Sequence, residues 1–137
     1  MTPEKIALVR SSWQQVLPIK DTAAQLFYGH LFELDPSLRS MFKGDMVEQG
    51  RKLMAMINTV VNSLDKLGPI LETIEAMGRR HVVYGVTEAH YDTVGSALIW
   101  TLGQGLEEQF TPAVKNAWSE AYDTLASAMK QAAYAPA

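Results

Sequence analysis

Residues 71–86, LETIEAMGRRHVVYGV, decide how this chain is read. Wound as an α-helix, Ile70, Ile74, Met77 and His81 fall at i, i+4, i+7 and i+11 and share one stripe. A histidine therefore continues an apolar, inward face, while Arg79 and Arg80 point elsewhere and Gly85 supplies the helix stop. HVVYGV is the nearest thing to a strand in the chain, and the surrounding 3.6-residue period outweighs it. A neutral imidazole facing a core needs a partner for its lone pair, and a metal is one such partner. Spacing alone favours a hydrogen-bonded core histidine.

The same period runs outward in both directions. Thr2-Pro3, Asp35-Pro36 and Thr111-Pro112 are each a capping side chain followed by proline, the signature of a helix start. Behind the first lie Ile6, Val9, Trp13 and Val16, with Pro18 closing the element. A second helix is expected from about Asp21 to Leu34, with Ala24, Phe27, Tyr28 and Leu31 inward, then a short one ending near Phe42. From about Val47 a long helix carries Gln49, Leu53, Ile57, Val60 and Leu64 on one face until Gly68-Pro69 breaks it. Asp92 or Thr93 is the expected cap of the next, which carries Val94, Leu98, Leu102 (or Thr101) and Leu106. The final helix turns Val114, Trp118, Tyr122, Leu125 and Met129 inward before Ala135-Pro136-Ala137 frays. Gly103-Gln104-Gly105 lacks a third glycine and a βαβ setting, so it marks local flexibility and not a nucleotide loop. The sum is an all-α single domain spanning residues 1–137, of about seven unequal helices that cross at steep angles.

Composition narrows the function. A chain of 137 residues buries about two-thirds of the surface its unfolded form exposes. Its net charge of −3 argues against nucleic acid or a polybasic membrane clamp. The absence of cysteine removes disulfides, thiolate metal sites, cysteine nucleophiles and thioether attachment of a cofactor. No apolar run reaches signal-peptide or membrane-spanning length, so a cytoplasmic protein is expected.

The residues also limit the chemistry. The three histidines are His30, His81 and His90, and no G-x-S-x-G elbow accompanies them. Phe27, Gly78 and Thr87 stand three before each, so the Glu-x-x-His pairs of a di-iron bundle are missing. His30 with Glu33 reads as a solvated pair, and Glu107-Glu108 diverge on a helix. What survives is His81 with two inward polar groups, Tyr28 and Gln49. Each costs roughly 1–3 kcal/mol if buried without a partner, which suggests a shared cavity around something polar. A haem fits, because its iron takes one imidazole and leaves a side open to a diatomic. A generic polar-cored bundle remains the alternative.

At this point the chain resembles the globin family over nearly its whole length. LFYGHLFELDPSLRSMF (26–42) is similar to the second globin helix running into the short third one, and EQGRKLM (48–54) to the start of the distal helix. GRRHVVYGVTEAHYDTVG (78–95) resembles the proximal helix, its turn and the next helix, and AWSEAYDTLA (117–126) the last helix of bacterial globins. The nearest likeness is to single-domain bacterial haemoglobins allied to flavohaemoglobins, with some likeness to neuroglobin. The resemblance implies a globin fold around haem b, with His81 as the iron ligand and Phe42 against the porphyrin. It puts Tyr28, Gln49 and Leu53 on the open side, has Val86, Val94 and Leu98 line the pocket, and makes Lys52 and Arg80 propionate partners. Tyr91 matches a tyrosine that helps orient the proximal histidine, an outer bond that makes imidazole a better donor.

Two departures sharpen this. Flavohaemoglobins complete the proximal array with a glutamate where this chain has Ala133, which puts a peroxidase-like proximal side in doubt. Neuroglobin has a histidine where this chain has Gln49; an amide is a poor iron ligand, so an open five-coordinate ferrous iron is expected. Tyr28 and Gln49 are then hydrogen-bond donors to O2, with Tyr28 a candidate phenolate ligand in the ferric state. Binding of O2, NO and CO follows from the resemblance. Nitric oxide dioxygenation is also expected, with electrons from an external reductase because no reductase segment follows the globin length. Two other readings stand beside it: a gas- or redox-sensing domain signalling through a partner, and a haem-free globin fold holding a linear tetrapyrrole or fatty acid.

Overall fold

A computed structural model gives the structure and describes residues 1–134. The expected fraying of Ala135-Pro136-Ala137 lies outside the described residues. Six α-helices follow one another: α1 (Pro3–Val16), α2 (Lys20–Leu34), α3 (Met46–Asn62), α4 (Gly68–Val83), α5 (Glu88–Leu106) and α6 (Pro112–Tyr134). Three short 3-10 segments, Leu17–Ile19, Pro36–Met41 and Glu107–Gln109, join them, and no strand occurs among the described residues. With Pro36–Met41 counted, the helices expected from the sequence are all present.

The cap-and-proline pairs work as their chemistry requires. Thr2 accepts from the Lys5 amide, Asp35 from the Ser37 amide and Thr111 from the Val114 amide, so each satisfies an otherwise orphaned N–H. Asp45 does the same for α3 through the Val47 amide at 2.9 Å. One cap differs from expectation. Helix α5 starts at Glu88 with Thr87 as its cap, five residues before Asp92. The Thr87 amide donates to His90 Nδ1 at 3.0 Å and the His90 amide to the Thr87 carbonyl at 3.1 Å. An imidazole thus takes the reciprocal role that glutamate or glutamine usually fills. Helix α3 also stops at Asn62, short of the expected reach, so Leu64 is buried from the following turn.

Helix α4 lies mainly on α6, α2 on α5, and α1 on α6. The tightest approach is at Gly78, where an added Cβ would come 2.3 Å from the Met129 carbonyl oxygen. In the main core Trp13 and Trp118 tilt against each other, with ring centroids 6.0 Å apart. Their indole N–H groups donate to Asn58 Oδ1 at 2.9 Å and Ser12 Oγ at 2.8 Å, so neither large ring costs an unpaired donor. Helix α3 meets α2 where Gly50 faces the Ala24 methyl. That approach buries Gly50, Met54, Val60 and Val61, and leaves the Gln49–Leu53–Ile57 ridge half-buried.

Candidate functional site

The α4 stripe carries His81 where the sequence places it, half-buried at the last turn of the helix. Its Nδ1 lies 2.6 Å from the Met77 carbonyl oxygen, one turn back. A carbonyl only accepts, so Nδ1 carries the proton and Nε2 keeps its lone pair. No other hydrogen bond to this ring occurs among the described residues. The helix ends at once: the Tyr84 amide bonds the Arg80 carbonyl and Gly85 turns back at φ 94°, a conformation that needs glycine.

A second group forms between α2, the Pro36–Met41 segment, α3 and α5. Tyr28 packs there with Phe42, Leu53, Val94 and Leu98. The Tyr28 ring meets Phe42 edge-on at 5.3 Å and stacks on Phe32 at 6.0 Å. Burial pushes the Tyr28 hydroxyl up to about 12. The Gln49 side chain, beside that hydroxyl but short of a well-formed hydrogen bond, pulls the value the other way. The protein surroundings therefore keep Tyr28 a neutral phenol, able to donate; a phenolate there has to be driven by a metal. Leu53, Phe42, Val94 and Leu98 remain only half-buried although they sit on inward stripes.

The remaining positions divide. Val86 and Tyr91 join a third cluster with Ile74, Met77, Ala126 and Met129. Tyr91 is buried, yet its hydroxyl has no hydrogen-bond partner and makes no bond to His81, whose ring is held by Met77. Burial and the nearby Tyr134 raise the Tyr91 pKa. Lys52 and Arg80 are exposed and form no ion pair among the described residues. Ala133 is half-buried on α6, and the adjoining Tyr134 donates to the Val86 carbonyl at 2.7 Å. Tyr122 donates to the Tyr91 carbonyl at 2.6 Å. The last helix thereby fastens both sides of the α4–α5 corner. Sequence reasoning placed Tyr122 inward but missed both bonds, because no local pattern announces a partner 31 or 48 residues away.

The other histidines have structural employment. His90 Nδ1 accepts the Thr87 amide, which leaves the proton on Nε2, 3.9 Å from Asp35. His30 stacks on Trp100 with ring centroids 4.0 Å apart. Among the described residues no group of three or more His, Asp or Glu is placed to hold an ion. His81 can therefore serve as a single ligand to a metal that brings its other ligands along. A planar macrocycle suits the half-covered apolar side chains of the Tyr28 group, and the free Nε2 of His81 suits its iron.

Comparison with known proteins agrees. The globin family profile matches residues 25–129. An anaerobic nitrite reductase of rice (Oryza sativa subsp. indica) is 33% identical over 132 residues, covering 90% of each chain. Neuroglobin of Chaenocephalus aceratus is 28% identical over 138 residues, covering 90% of this chain and 87% of that one. Among solved structures, an engineered carbene transferase, "putative nitric oxide dioxygenase from Rhodothermus marinus", superposes with a TM-score of 0.87 at 26% identity. That match covers 97% of this chain and 93% of the other. The chain belongs to the globin family, and with the family goes haem binding and the binding of small gas ligands. No helix of the described residues is long and apolar enough to cross a membrane.

Proposed function

We propose that this globin holds haem b through His81 Nε2 and oxidises nitric oxide to nitrate with oxygen, taking electrons from a separate donor. The observation that carries the reading is the 2.6 Å bond between His81 Nδ1 and the Met77 carbonyl, which fixes the tautomer with the outer nitrogen free to ligate. When bound, haem iron supplies reversible binding of O2, NO and CO and, with an electron, the dioxygenation of nitric oxide. The chain's own residues do the rest. The cofactor is held without covalent attachment, since there is no cysteine for a thioether. Phe42, Leu53, Val86, Val94 and Leu98 supply its apolar walls, and Lys52 and Arg80 its propionate contacts. Tyr91, buried beside Val86, belongs to the proximal wall. Tyr28, kept protonated by burial, and Gln49 donate hydrogen bonds on the open side to a polarised diatomic. Each such bond is worth roughly 0.5–1.5 kcal/mol, so the pair slows ligand loss by about one to two orders of magnitude.

The rice relative favours a second reading at the same site, reduction of nitrite to nitric oxide without oxygen, which consumes an electron and two protons and releases water. The experiment is the absorption spectrum of purified protein and of His81→Ala in ferric, ferrous and carbon monoxide-bound states. It is followed by nitrate yield from nitric oxide plus oxygen, and nitric oxide yield from nitrite under nitrogen. Parent protein with a five-coordinate ferrous spectrum, lost or altered in the variant, is expected, with nitrate the faster product. No Soret band after reconstitution, or an unchanged ligand signature in His81→Ala, would falsify the assignment. Faster nitrite turnover would select the second reading.

A further inference from the structure

The turn that follows His81 is tied at two points. The Val86 amide donates to the His81 carbonyl at 2.9 Å, and one residue later the Thr87 amide donates to His90 Nδ1 at 3.0 Å. Residues 81–87 therefore form one hydrogen-bonded unit whose far end rests on an imidazole, where glutamate or glutamine is usual. The carbonyl oxygen of glutamine accepts at any pH near neutrality. An imidazole accepts only while the nitrogen concerned carries no proton.

His90 also faces a second partner. Its Nε2 lies 3.9 Å from Asp35 Oδ2, too far for a hydrogen bond, and this is its one ion pair among the described residues. Asp35 caps the Pro36–Met41 segment through Oδ1, which accepts from the Ser37 amide at 3.1 Å and the Ser37 hydroxyl at 2.6 Å, so Oδ2 stays open to the ring. The other charges nearby are turned away. Glu88 and Asp92 lie on the opposite side of α5, where they border an open cleft with Lys130 and Tyr134 of α6. Glu33 is directed to His30, and Arg39 to the Phe42 carbonyl. A proton on Nδ1 removes the acceptor from Thr87 and sets a cation in the first turn of α5, where the helix dipole disfavours it. The same proton strengthens the pull of Asp35, so the ring exchanges one partner for the other.

We propose that His90 is a positioning residue for His81, a proton-operated latch that holds the 81–87 turn while neutral and leaves it for Asp35 when charged. Its effect on the iron rests on the haem reading above; the exchange of partners at the ring does not. The test follows the haem-loaded protein between about pH 8 and about pH 5.5, a span in which imidazoles change charge. NMR of the carbon monoxide complex reports the His90 ring and the Thr87 amide, and the iron–histidine stretching band of the ferrous protein reports His81. As the ring gains its proton, the Thr87 amide should lose about tenfold in exchange protection, the factor carried by a helix cap of ordinary strength. The iron–histidine band should shift in step. His90→Gln keeps an acceptor that takes no proton, so both readouts should hold their alkaline values throughout. A ring that stays uncharged across the span, or a Thr87 amide that stays protected as the ring takes its proton, would overturn the latch. An iron–histidine band as pH-dependent in His90→Gln as in the parent, or one unmoved while the cap opens, would overturn the positioning of His81 and leave the haem reading intact. Failure to bind haem would overturn that reading and the coupling to iron with it, while the Thr87 amide still reports the exchange of partners.

Discussion

Replacing Gly78 by alanine sets two effects of opposite sign against each other at one position. Gly78 sits inside α4 with ordinary helical φ, Gly85 being the glycine with positive φ. On helix propensity alone, alanine there should stabilise by roughly 0.5–1 kcal/mol. The packing argues otherwise. The new Cβ would lie 2.3 Å from the Met129 carbonyl oxygen, 2.8 Å from its Cα and 2.9 Å from its carbonyl carbon. Ordinary contact begins at 3.4 Å, so α4 and α6 must separate by 3.4 − 2.3 = 1.1 Å, and backbone atoms have no rotamer with which to yield. Overpacking of this kind costs about 1–3 kcal/mol or more, and here it acts where α4 lies on α6. We expect Gly78→Ala to lose a net ~1–3 kcal/mol, a fall in Tm of about 5–10 °C for a chain this size. Gly29→Ala is the control: it lies in α2, exposed, with nothing within 4 Å of its Cβ, and should gain up to ~1 kcal/mol. Urea unfolding followed by tryptophan fluorescence measures both. A Gly78→Ala protein as stable as its parent would refute the close-approach reasoning.

Other expectations follow from the polar groups. Tyr28→Phe and Gln49→Leu should each speed oxygen dissociation several-fold; stopped-flow rates unchanged in both variants would remove the distal hydrogen-bond argument. Ser12→Ala strips the buried Trp118 indole of its acceptor, so urea titration should show a loss of about 1–3 kcal/mol, and a neutral result would mean the indole finds another partner. Alkali should weaken the fold. Burial lifts Tyr28 from 10.0 to about 12 and raises Tyr122 as well, so above pH 10 the unfolded chain releases phenolic protons that the folded one retains. Stability then falls as pH rises, by about 2 kcal/mol for Tyr28 alone by pH 12, where the folded phenol itself begins to ionise, and Tyr28→Phe should remove that share. A urea midpoint that does not move between about pH 9 and pH 12 contradicts it.

What could be read from the sequence was whatever a helix repeats locally. The stripe ending at His81 needs only the 3.6-residue period, and the capping pairs at Thr2, Asp35 and Thr111 need only adjacent residues; all stand as expected. The α5 start is not legible because Asp92 and Thr93 stand nearer the apolar run than Thr87, whose reciprocal partner is a histidine in place of the usual glutamate or glutamine. On α3 the helical period marks the Gln49–Leu53–Ile57–Val60 face, but Gly50 lets α2 come close and so buries Met54 and Val61 more fully than Leu53 and Ile57. For the site, the residue types at 28, 49 and 81 were visible as polar groups on apolar faces. The Met77 carbonyl that fixes the imidazole tautomer was not visible, since every residue has a carbonyl. Nor was the unpartnered hydroxyl of Tyr91, because partnership across a core depends on how helices cross.

The two tyrosines of α6 that fasten the α4–α5 corner bear on how the protein is made. The corner after His81 is closed by Tyr122 on the Tyr91 carbonyl and by Tyr134 on the Val86 carbonyl, partners 31 and 48 residues downstream. Synthesis proceeds from the N-terminus, so a nascent chain already holding His81 still lacks the residues that stiffen its surroundings. The imidazole can form its bond to Met77 early, from local sequence alone, but the corner stays unfastened until residue 134 has left the ribosome. Capture of the cofactor in its final geometry thus waits on the arrival of α6 and is not governed by the helix that bears the ligand.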